Sequence, residues 1–239
     1  IGGRRRRTMT SYCGAPPHPY DWLERWNFDP VLLAALAVAA ALSMRSAHPR
    51  FALASVGILA VTFVSPLCAL SVALFSARAV HHVLLVAVAA PLAALAFPGR
   101  GSKHLGIAFV ASTATLWAWH LPALYDRALG DTPIYWLMQL TLLGTAIWFW
   151  RELFAAPPVT ASMVAILAMA QMGMLGALLT FARVALYASH AASTLPWGLD
   201  QIADQQLAGL LMWVPGVIPY ALATALIARR VWLRAAGTA

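Results

Sequence analysis

Arg78, His81 and His82 stand at the mouth of an apolar run that continues to Phe97. A cation and two imidazoles are expensive to place in hydrocarbon, so such groups usually face a bundle interior or a polar cavity. Adjacent residues on a helix lie about 100° apart, so His81 and His82 cannot point the same way. Arg78 and His82, four apart, share a face. Two chemistries fit these types: histidines that snorkel to headgroups, or a metal or proton site. Copper favours thiolate, thioether and imidazole, whereas calcium and magnesium want several carboxylates. The candidate metal ligands are therefore His82, His120, Cys68, His81 and Met212, and the possible cofactor is copper. Arg78, Asp204, Gln205 and Gln206 form a polar companion set. Asp204 reads as the N-cap of a last helix, and the two glutamines need hydrogen-bond partners at a membrane-helix start. No pair has the spacing of Cys-x-x-Cys or His-Glu-x-x-His, so the case for metal is collective.

The elements that must position these residues are helices in a membrane. Of 239 residues, 62% are hydrophobic and only 10% charged, where a soluble domain carries about 25% charge. Several apolar runs approach the roughly 20 residues that cross a bilayer core. The class is an all-α polytopic membrane protein with membrane lipid around it. Spans are expected near 30–45, 51–70, 79–97, 104–120, 134–150, 159–181 and 204–228, a seven-transmembrane-helix bundle. The chain divides into an N-terminal arm over 1–27, a transmembrane domain over 28–230 and a tail over 231–239. Asp29 and Pro30 should cap and open the first span, and Pro215 with Pro219 should kink the last. No removable signal peptide is apparent, and two cysteines are too few for a disulfide framework.

Net charge is +8, yet the arginines sit singly or in pairs between apolar runs, as topology determinants do, and do not point to nucleic acid. The block Arg4–Arg7 is set aside. Arg45, Arg50, Arg100, Lys103, Arg151, Arg229, Arg230 and Arg234 fall on the C-terminal side, against Arg25, Arg78, Arg127 and Arg183 on the other. The positive-inside rule then puts the N-terminus in the periplasm and the C-terminus in the cytoplasm. His18, His81, His82, His120, His190 and both cysteines sort to the outer side, with only His48 and His104 inside.

There is no Gly-x-Ser-x-Gly, no phosphate loop and no pair of intramembrane carboxylates, which argues against an enzyme. Several segments do match a known pattern. Val64-Ser65-Pro66-Leu67, Leu74-Phe75-Ser76-Ala77 with His82-Val83-Leu84-Leu85, and Trp119-His120-Leu121-Pro122-Ala123-Leu124-Tyr125-Asp126 are followed by Trp197-Gly198-Leu199, Asp204-Gln205-Gln206-Leu207-Ala208-Gly209-Leu210 and Met212-Trp213-Val214-Pro215-Gly216. Together they resemble the multi-pass CtaG family of cytochrome c oxidase assembly factors of the caa-type group, over about residues 30–228. The resemblance implies a seven-helix protein of the bacterial inner membrane, partnered with haem-copper oxidase subunits and acting in copper insertion or maturation. A stably associated accessory or scaffold subunit is the alternative. The chain departs from the family pattern where Arg78-Ala79 replaces a histidine and a methionine, at Cys68 in place of an aspartate, and at Gln139 in place of a histidine.

If the third and fourth spans are antiparallel neighbours, His82 and His120 should meet at one depth, with Cys68 beside them. Met212 lies eight residues past Asp204, about 12 Å deeper. His81 should turn toward Arg78's flank or the headgroups. The competing expectation is a polar plug in which these side chains cap helices and hydrogen-bond Asp204, Gln205 and Gln206.

Overall fold

Asp29 and Pro30 open the first helix as their types demand. The computed structural model describes residues 11–99 and 101–236, and Arg4–Arg7 lie outside them. Helix α1 (Pro30–Ser43) starts with the Asp29 carboxylate accepting from the Val31 N–H at 2.8 Å. Helix α2 (Pro49–Phe63) is interrupted at Val64-Ser65-Pro66 and resumes, bent by 45°, as α3 (Leu67–Ala73). Leu74 is extended, with φ −123° and ψ 131°, so α4 (Phe75–Val83) begins as a fresh helix.

A π-helical stretch, Leu84–Ala89, joins α4 to α5 (Ala90–Ala96). Pro91 has no N–H to return to the turn behind it. The Val86 carbonyl this frees is taken from outside by the Trp150 indole N–H at 2.9 Å, and the Ser55 hydroxyl donates to the Ala89 carbonyl at 2.8 Å. Such insertions cluster at functional sites, and this one follows His82 directly.

Helix α6 (Leu105–Trp119) stops at His120 ahead of Pro122, and α7 (Pro122–Gly130) leaves at 74°. Helix α8 (Thr132–Ala155) is capped by Asp131, and α9 (Pro158–Thr180) follows Pro157 and Pro158. A looped segment over 181–200 leads into α10 (Gln201–Trp213). The break expected at Pro215 is a short 3₁₀ turn, Pro215–Val217, before α11 (Ile218–Ala236). No strand occurs among the described residues.

Three helices are long and apolar enough to cross a membrane, Phe75–Ala96, Pro158–Thr180 and Gln201–Leu233, and counting each bent pair as one span makes five. Seven are not reached on this measure. Helix α1, at 14 residues, spans about 21 Å of a roughly 30 Å core, and α8 is diluted by Gln139, Arg151 and Glu152. The column Phe75–Ala96 is 56% buried inside the protein, against 33% and 22% for the other two, so it is the central one. It packs against α2, α3, α8 and α10.

The α9–α10 pair is the closest helix interface, and glycine makes it so. A β-carbon on Gly176 would stand 2.8 Å from the Gly209 carbonyl oxygen. Only residues without side chains allow two membrane-helix backbones this near.

Candidate functional site

The N-terminus of α4 sets the site. Because Leu74 is extended, the first N–H groups of α4 have no helical acceptor. Asp204, fully buried on α10, supplies one across the bundle: its carboxyl accepts from Phe75 N–H at 2.6 Å, Ser76 N–H at 3.2 Å and the Ser76 hydroxyl. Asp204 is thus not the cap of its own helix. Asp200 fills that place, accepting from Ala203 N–H at 2.7 Å. The capping carboxyl docks α10 on α4 and fixes how α4 is rotated.

So held, α4 buries Arg78, His81 and His82 together. His81 does not reach the headgroups. It stands edge-on to Phe63, ring centroids 4.9 Å apart, because α4 is enclosed on all sides and residues 100° apart both face protein. Its ring is 5.8 Å from that of His82.

His82 and His120 do meet, with ring centroids 5.9 Å apart. His120 ends α6, and its Nδ1 donates to the Leu116 carbonyl at 2.7 Å, so Nε2 is left with a lone pair. Both ring nitrogens of His82 are without partners. Two rings bridged in line by one ion at about 2 Å from each nitrogen would have centroids about 6 Å apart, a separation this pair matches.

The other expected ligands do not join it. Cys68 has no free thiol: it is bonded to Cys13, Cα atoms 5.4 Å apart. The disulfide pins the arm, whose Tyr12 stacks on Tyr135 at 5.1 Å and donates to the Asp29 carboxylate at 2.7 Å. The Tyr135 hydroxyl lies 3.5 Å from Cys13 Sγ. Met212 is buried in the apolar core on α10. Among the described residues no three of His, Cys, Asp and Glu gather as a metal-holding group.

Part of the polar plug is present. Gln205 accepts from Leu186 N–H at 2.8 Å and donates to the Val184 carbonyl at 3.2 Å, and Gln206 donates to the Ala182 carbonyl at 3.3 Å. They stitch the 181–200 segment onto α10 and leave the histidines alone.

Sequence reasoning missed a second imidazole. His190 accepts from the Tyr125 hydroxyl at 2.7 Å through Nε2, while its Nδ1 faces the Ala73 carbonyl at 3.3 Å. Burial, then the charge of Arg78, pulls its pKa down to about 4, so the ring is neutral near pH 7. Phe75 joins the two histidine sites, its ring 6.5 Å from His120 and 5.8 Å from His190. The sorting of histidines by side had placed His190 here, but nothing in its spacing singled it out.

The family model for the cytochrome c oxidase caa3 assembly factor matches residues 101–235, more than half of the 239-residue chain. The match contains His120, Asp204, Gln205, Gln206 and Met212, and stops short of Arg78, His81 and His82. Comparison with curated proteins and with solved structures returned no match. With all-helical architecture and apolar helices of membrane length beneath it, the match settles membership: the chain belongs to the cytochrome c oxidase caa3 assembly factor family.

Proposed function

We propose that the protein assists copper insertion into a haem-copper oxidase, as a seven-span protein of the bacterial inner membrane whose His82–His120 pair holds one copper(I) near the outer surface. The observation that carries the reading is this pair, ring centroids 5.9 Å apart, with both His82 nitrogens buried and unpartnered and His120 Nδ1 committed to the Leu116 carbonyl so that Nε2 keeps its lone pair. Bound copper(I) would supply a transferable soft cation, and the chain's part is to hold it out of water and present it to the oxidase subunit. Purified protein loaded with copper(I) is expected to retain one equivalent. His82→Ala and His120→Ala should each weaken retention at least tenfold, and absence of copper from the loaded wild-type protein overturns the proposal.

The disulfide supports the orientation. Such bonds persist in oxidising compartments, and the positive-inside count had sent Cys13 and Cys68 outward. Seven helical columns, with α2–α3, α4–α5 and α10–α11 each counted once and α7 set aside as a surface helix, would put the ends on opposite sides. Reporter fusions at Ala191 and Gly237 are expected to read periplasm and cytoplasm respectively. The same side for both breaks the seven-span topology.

Arg78 favours a second reading. A fixed positive charge four residues from His82 raises the cost of bringing a cation there. Under that reading the protein is a scaffold, and it co-purifies in equal amounts with mature oxidase whether or not His82 and His120 are replaced.

A further inference from the structure

We infer that Arg78 and His81 form a binding site for a small monovalent anion of chloride's kind. All three guanidinium nitrogens of Arg78 and both ring nitrogens of His81 are buried without a well-formed hydrogen bond, with the Tyr125 and Tyr135 hydroxyls beside the guanidinium and the Thr62 backbone beside the imidazole. Residues three apart on a helix are neighbours, so Arg78 and His81 lie on adjoining positions of α4, the guanidinium with five N–H groups and the imidazole with at least one. The Tyr135 ring closes one side of the guanidinium, and the Cys13–Cys68 tie holds the arm over Tyr135.

Charge selects an anion over water alone. A guanidinium cannot lose its proton, and an uncompensated buried cation is costly. No carboxylate lies within ion-pair distance of Arg78 among the described residues, whose ion pairs comprise Arg25–Asp21. Asp204 is the one acidic side chain buried beside α4, and its oxygens are committed to Phe75 and Ser76. The elements around Arg78 and His81 otherwise bring aromatic rings or neutral groups: Phe63 from α2, Tyr135 from α8 and Tyr125 from α7. The Gln139 amide, one turn along α8 from Tyr135, is also buried and unpartnered.

Packing selects a small one. With Phe63 and His82 rings 4.9 and 5.8 Å from His81, the packing is too close for a phosphate or sulfate, which leaves a monatomic ion as the ligand class. The site does not depend on the copper reading, since it uses a cation and a ring that the His82–His120 pair leaves aside.

The test is a chloride titration of the full-length protein in detergent, with sodium gluconate replaced by sodium chloride at constant ionic strength. The unfolding midpoint is expected to rise with the logarithm of chloride once chloride exceeds its dissociation constant, by about 5 °C at a hundredfold excess. Bromide should substitute for chloride and sulfate should not. Arg78→Gln is expected to abolish the response, and His81→Phe to raise the half-saturating chloride at least tenfold. Equal melting in chloride and gluconate overturns the inference, as does an Arg78→Gln protein that responds like wild type. If Arg78→Gln does not fold, an unchanged midpoint in His81→Phe is decisive against it.

Discussion

Asp204→Ala is expected to destabilise the protein by about 3–5 kcal/mol and to scatter the histidine site. The carboxyl serves the Phe75 N–H, the Ser76 N–H and the Ser76 hydroxyl, all buried. Each buried donor left without an acceptor costs about 1–3 kcal/mol. Because those N–H groups open α4, their loss frees the rotation that sets Arg78, His81 and His82. Asp204→Asn keeps one acceptor oxygen and should lose less, about 1–3 kcal/mol. The measurement is thermal unfolding in detergent for the three proteins. Equal midpoints for wild type and Asp204→Ala would dismiss the cap.

Gly209→Ala carries the second large effect, more than about 3 kcal/mol, at or above the usual range for overpacking. A β-carbon there would stand 2.5 Å from the Gly176 carbonyl oxygen and 2.6 Å from the Thr180 nitrogen. Those are backbone atoms of α9 and cannot swing aside. Gly144→Ala on α8 is the control, since a β-carbon there meets nothing within 4 Å. It should be neutral or gain about 0.5–1 kcal/mol from the lower flexibility of the unfolded chain. If both variants melt alike, the close α9–α10 approach is wrong.

What could be read in the sequence was whatever rests on neighbours along the chain or on depth in the membrane. Asp29-Pro30 opens α1 and Pro215 breaks the last column because caps and prolines act within one turn. His82 and His120 were legible as a pair because one opens a span and the other closes the next. Contacts between distant segments were not legible. Asp204 is a good helix cap by type, and type alone assigned it to its own helix, when the N–H groups it serves lie 128 and 129 residues earlier. Cys13 and Cys68 carry no spacing signal, since their union depends on the arm folding back over Tyr135. Of the two directions open to His81, Arg78's flank or the headgroups, the second fails because the helix is enclosed. The π-helical stretch is settled by Trp150 and Ser55, which come from other columns and leave no mark on Leu84–Ala89.

The bond between Cys13 and Cys68 also bears on the order in which the protein is made. Its two sulfurs belong to the arm and to the helix that ends the second column, 55 residues apart. On the proposed topology, which puts the arm outside, both would reach an oxidising compartment once α3 has emerged, while α4 and everything after it are still to be inserted. The strap over Tyr135 can therefore be closed before Tyr135 itself arrives, and the later helices enter beneath a lid already tied down.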